Sequence, residues 1–326
     1  MRHPLPLLLL ALALAATAAQ AEDSITIAYQ TGVDPSKVAQ ADGAFDKATG
    51  RKIEWRKFES GSEVIAAVAS GDVPIGNIGS SPLAAAASRG LPIETFLVTD
   101  VIGASEALVV RRGSGIGKPA DLAGKNVAVP FVSTTHYSLL AALRHWKVDA
   151  NTVHILNLRP SEIPAAWQRG DIDAAYVWEP ALSRIRATGT VLTTSASVSQ
   201  WGAPTYDVWI VRKDFAARHP DFLTAFARVA GAAIDRYNAN PQAYIADTAN
   251  LDKIARLTGA SRADVAALLP GNRYLSLREQ STLLQKPFVA AVAGTAAFLK
   301  SQGKVDALQA DYTPYVSNRF VLGALH

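Results

Sequence analysis

Apolar residues recur along this chain with two periods that alternate, two residues and then three to four. Residues 24–30 place Ile25, Ile27 and Tyr29 on one face, the pattern of a half-buried strand. After a turn at Asp34 and Pro35, a helical pattern fills 36–49 and stops at Gly50. A strand over 52–58 follows. Ser60 and Glu63 have the spacing of a capping box, opening a helix that runs to Ser70 and stops at Gly71. Residues 74–79 read as a short buried strand. Ser80, Ser81 and Pro82 lead into a helix over 83–89 closed by Gly90, with Pro at its start and Gly at its end as expected. A strand over 93–101 completes a β-α-β-α-β-α-β order, which predicts a parallel sheet with crossover helices.

The second half repeats the scheme. Strands are expected over 106–112, 127–132, 153–158, 172–178 and 191–194. Helices are expected from near Tyr137 to Trp146, over 161–169 and after Pro180. From Asp214 the pattern turns mostly helical, over 221–238, 242–257, 263–269 and 286–301, while the tail from Tyr312 carries little signal.

Two internal echoes sharpen the architecture. GDVPIGNIGSSP (71–82) parallels GDIDAAYVWEP (170–180): helix end, Gly-Asp, strand, then Pro opening a helix. EALVVRR (106–112) parallels DVWIVRK (207–213), and these two fall where a chain would pass between lobes and back. The expected fold is α/β and two-lobed, with two parallel or mixed sheets, helices on both faces and a two-strand hinge. One lobe comprises 22–103 and 207–326, the other 104–206.

Candidate chemistry follows from that layout. Ser133, Thr134 and Thr135 stand between a strand and a helix, and Ser80 and Ser81 repeat the arrangement. Helix N-termini offer unpaired N–H groups and attract anions, and open α/β sheets bind ligands at that edge. The plainer reading of each is an ordinary helix cap. Glu106 and Asp207 open the two hinge strands and would face one cleft, with Trp178 nearby. Two carboxylates and an aromatic face suit an ammonium group. A small zwitterion, oxyanion at the hydroxyl end and ammonium at the carboxylate end, fits both. Gln30, closing the first strand, is added as a lining residue. Glu179 echoes Ser81 but is left out, and His136 is read as a structural donor.

Composition narrows the function. Residues 1–21 carry Arg2, an apolar core over 5–16 and an Ala19-Gln20-Ala21 cleavage site, so an export signal is expected. There is no cysteine, which removes disulfides, a thiolate nucleophile and a lipidated N-terminal Cys. Export with neither anchor nor span points to a periplasm. Met1 is the sole methionine, so the chain after the signal is free of sulfur, through resistance to oxidation or economy when sulfur is scarce. The net charge of +4 is scattered, which with export argues against nucleic acid. The glycines over 113–118 lack phosphate-loop spacing, no G-x-S-x-G elbow exists, and the six histidines form no H-E-x-x-H motif. No cofactor or metal is expected.

The strings IAYQ (27–30), IGNIGSSP (75–82), SEALVV (105–110), PFVSTTHYSLLAAL (130–143), AWQRGDID (166–173) and QWGAPT (200–205) together resemble the periplasmic taurine-binding proteins of bacterial importers. The resemblance covers nearly the whole chain after the signal. It implies a type II periplasmic binding fold and taurine or a close aminosulfonate as ligand. It also implies ABC permease and ATPase subunits as partners, and use under sulfur limitation. On this reading Ser80, Ser81, Thr134 and Thr135 hold the sulfonate, Glu106 and Asp207 the ammonium. The chain is expected to be a monomer and not an enzyme.

Overall fold

The computed structural model describes residues 24–326; the export signal expected over 1–21 lies outside the described residues. Among the described residues ten strands occur in chain order: β1 (Ser24–Tyr29), β2 (Lys52–Lys57), β3 (Ile75–Gly79), β4 (Ile93–Val101), β5 (Ala107–Arg111), β6 (Asn126–Val129), β7 (His154–Asn157), β8 (Ala174–Val177), β9 (Gly189–Thr194) and β10 (Tyr206–Arg212). They form two five-stranded sheets, ordered β2-β1-β3-β10-β4 and β7-β6-β8-β5-β9.

The two orders are the same order. In each sheet three strands joined by helical crossovers run parallel, as β-α-β patterning requires. In each, the fourth position is antiparallel to both neighbours. That position is β10 in the first sheet and β5 in the second, the two echoed strands, and β3 and β8 of the other echo also hold matching places. The sheets are therefore mixed. The chain leaves the first sheet after Val101, enters the second at Ala107, and returns at Tyr206. The crossings precede the echoed strands, which sit within the sheets.

Burial follows the strand pattern. β3 is buried throughout, and β8 likewise, so both read as continuous apolar runs. A first core gathers Ile27, Ile75, Phe96, Trp209 and Phe226 around the first sheet. A second unites Val109 of β5 and Trp167 and Leu182 of the helices beside the second sheet with Ile234, Ile254 and Leu268 from the C-terminal helices and Val33 and Val38 from the N-terminal part. We propose the division into 22–103 with 207–326 and 104–206 as the working lobe boundaries, and this second core is where the two join.

The expected helix over 36–49 is two, Ser36–Ala41 and Ala44–Thr49, because Gly43 takes φ +64° between them. The expected helix near Tyr137 starts earlier, at Thr134, with Ser133 Oγ accepting from His136 N. A helix Ser195–Gln200, capped by Thr194, and another at Leu277–Leu283, capped by Ser276 and Glu279, were not expected.

Candidate ligand-binding site

Three helices begin at one point between the sheets: Gly61–Ser70, Ser80–Ser88 and Thr134–His145. Gly61, Gly79, Ser133 and Thr134 at their starts line one small cavity. Ser60 Oγ accepts from Glu63 N, so the predicted cap is present, though Glu63 Oε2 returns its bond to Glu59 N rather than to Ser60. The remaining first-turn N–H groups have no partner within their helices and face anions favourably. Gly79 permits the close approach of the sheets here: a Cβ on it would meet Thr134 Cγ2 at 2.5 Å.

The cavity volume is about 40 Å³, a few waters' worth where one water takes roughly 10–15 Å³. Its wall includes Gln30, Glu106, Thr134, Trp178 and Asp207, five of the eight residues expected from sequence. Gln30 Nε2 donates to Asn77 O, which fixes its amide at the end of β1. Ser80, Ser81 and Thr135 are buried beside the cavity but do not line it. Ser80 Oγ accepts from Tyr206 N at 3.2 Å, Thr135 Oγ1 pairs with Ser133 Oγ at 2.7 Å, and Ser81 Oγ has no partner.

The carboxylates dominate the electrostatics. Glu106 is 5% exposed and held at both oxygens, by Thr134 Oγ1 and by Ser195 Oγ at 3.0 Å. Ser195 is held in turn by Tyr176 OH at 3.1 Å and Ser138 Oγ at 3.2 Å. Burial, with Asp207 adding like charge, pushes the Glu106 carboxyl up to about 8 against the pull of those two hydroxyls. Asp207 lines the same cavity. Burial and the neighbouring Asp34 push it up to about 7, opposed by Lys37. Behind them Asp100 is pushed well above the carboxylate range by burial and by Asp207 and Asp34, while Asn272 Nδ2 donates to it at 3.1 Å. The geometry corrects one expectation. Thr134 hydrogen-bonds Glu106, so the hydroxyl and carboxylate groups adjoin one another and do not occupy opposite ends.

Sequence reasoning missed Asn272, which lines the cavity and accepts from Gly103 N and Ser105 Oγ. It also missed Ser195, Ser105 and Gly61. Only Gly61 had a signal, its place after the Ser60 cap. Glu179 lines the cavity too, but its carboxylate accepts from Ser183 Oγ at 2.6 Å, capping the next helix. His136 is structural but an acceptor, taking the Val132 N–H on Nδ1 at 3.1 Å. Burial and then Lys304 lower it to about 4.

Two mixed sheets of equal order, closing helix N-termini and buried carboxylates around a small chamber, define a bilobed solute-binding protein. Residues 23–256 match the family described as the substrate-binding domain of the ABC-type glycine betaine transport system, OpuAC. The taurine-binding periplasmic protein of Escherichia coli K12 is 54% identical over 298 residues, covering 91% of this chain and 92% of that one. The crystal structure of the periplasmic aliphatic sulphonate binding protein SsuA from Escherichia coli superposes with a TM-score of 0.74 at 21% identity, covering 91% and 92%. The alkanesulfonate-binding protein SsuA from Xanthomonas axonopodis pv. citri, bound to MOPS, gives 0.73 at 20% identity, covering 88% and 96%. Those two share the fold. The chain belongs to the substrate-binding protein family of ABC importers, a family of binders rather than enzymes.

Proposed function

We propose that this chain captures taurine, or a close aminosulfonate, in the periplasm and presents it as a monomer to the permease and ATPase of an ABC importer. The observation that most supports this reading is the convergence of Glu106 and Asp207 on a cavity ringed by three helix starts. A sulfonate accepts from first-turn N–H groups, and a primary ammonium donates to carboxylates. Charge-assisted bonds contribute roughly 1.5–3 kcal/mol each, so a ligand of a few heavy atoms gains much from few contacts.

Glycine betaine, the ligand in the family's description, fits the same cavity poorly. A quaternary ammonium has no N–H to donate and is recognised by aromatic faces, yet Trp178 is the one aromatic residue lining this wall. The likeness to the taurine-binding relative therefore accords better with the site chemistry. Calorimetry tests the assignment. Asp207→Asn is expected to cost roughly 3–5 kcal/mol of taurine binding, the range for breaking a buried ion pair. Unchanged affinity removes Asp207 from the site.

A further inference from the structure

A lysine lies where this cavity has least use for an ordinary surface charge. Lys37 is 1% exposed, on the first turn of the Ser36–Ala41 helix, with its ammonium 5.3 Å above the Tyr29 ring. Its ion-pair partner is Asp34, at 3.4 Å and equally buried. Asp34 is pinned by Ser36 N, which donates to Oδ1 at 2.8 Å, so the pair has little freedom to turn away. The loop bearing Asp34 forms the cavity wall through Gly32 and Val33, and a Cβ on Gly32 would lie 3.5 Å from Asp207 Oδ2. Buried lysines are rare unless paired. Here the one cation is paired with Asp34, directly behind the wall segment that faces Asp207.

We propose that Lys37 is a positioning residue for ligand binding: ion-paired to Asp34 behind the Gly32–Val33 wall, it favours the anionic form of Asp207 that the ligand's ammonium meets. The proposal rests on the reading that Asp207 holds the ligand's ammonium. Lys37 and Asp34 act on Asp207 in opposite senses, the lysine favouring the anion and the aspartate opposing it. The other ionisable groups around the pair are tyrosines and distant surface charges. Tyr244 OH donates to Pro35 O and Tyr274 OH to Val33 O. Tyr237 stacks edge-on against both. Arg236 lies on the Pro220–Ala239 helix and shares a groove with Pro35 and Tyr244, and Lys253 is paired with Asp42. Lys37 is the cation ion-paired to Asp34.

The test is taurine calorimetry as a function of pH on wild type, Lys37→Met, Asp34→Asn and Asp207→Asn. Asn at 34 keeps an acceptor for Ser36 N while losing the charge. Removing the lysine should move the rise of affinity with pH about one unit or more upward and weaken binding about tenfold at neutral pH. Removing the Asp34 charge should move the rise downward, so the two variants shift in opposite directions and either one that folds suffices. Profiles that superimpose on wild type, or shift the same way, overturn the role of Lys37. If Asp207→Asn itself binds normally, the assignment of the ammonium site fails first, whatever Lys37 does.

Discussion

Glu106 and Asp207 are carboxyl groups that burial holds near neutrality until an ammonium arrives. With folded values of about 8 and about 7, both bind protons over a range where an unfolded carboxylate is already ionised. The sign follows: the stability these groups contribute to the empty protein is fully present below about pH 4, and is lost as the pH climbs through about 7 and 8. Ligand affinity moves the other way, because the cation binds the ionised forms. Taurine binding is expected to tighten from about pH 6 to about pH 8, while the empty protein's thermal midpoint falls from about pH 4 and levels off near pH 8. Calorimetry and thermal scans read both, and an affinity flat with pH would contradict these assignments. Glu106 and Asp207 were legible because each heads one of two echoed strands. Asn272 and Ser195 were not, since they reach the site only through tertiary folding from segments with no local signal, 271–275 and 195–200.

The helix starts set the spacing of the walls. Gly79 and Thr134 touch across the cleft, one before the Ser80–Ser88 helix and one opening the Thr134–His145 helix. Gly79→Ala drives a methyl into Thr134, and overpacking of this kind costs roughly 1–3 kcal/mol. The expected outcome is weaker taurine binding with the thermal midpoint of the empty protein little changed, because the methyl obstructs closure more than folding. Equal binding would show that the lobes close without this contact. Long periodic elements were readable in advance. The short ones were not: Gly43 splits a helix that periodicity alone makes continuous, and the six-residue Ser195–Gln200 helix is too short to show a period. Ser80, Ser81 and Thr135 were read by residue type, yet none lines the chamber: Ser80 Oγ takes Tyr206 N, Thr135 Oγ1 pairs with Ser133 Oγ, and Ser81 Oγ has no partner.

Across the whole molecule, two sheets of matching strand order meet along a cleft bridged by a few polar contacts. Thr31 Oγ1 donates to Glu179 O at 2.7 Å and Ser161 Oγ to Glu59 Oε2 at 2.6 Å. Elsewhere Tyr137 and Arg144 pack on Phe298. These are few and partly exposed, so closure depends on what lies between the walls. Saturating taurine at a hundred times its Kd should stabilise the protein by about 2.7 kcal/mol, and small-angle scattering should report a smaller radius of gyration with ligand. A radius unchanged by ligand would argue for a cleft that is already shut. The echoes showed that the two halves match, but the strand order, with β5 and β10 antiparallel inside the sheets, and the second core, which joins 234–268 to the second sheet, required the packing itself.

On this reading the cleft recognises a cation and an oxyanion on one small molecule. Competition calorimetry between taurine and ethanesulfonate, which keeps the sulfonate and lacks the ammonium, tests it most directly. Ethanesulfonate is expected to bind at least about a hundredfold more weakly, the loss of two or so charge-assisted bonds. Comparable affinities for the two would contradict it.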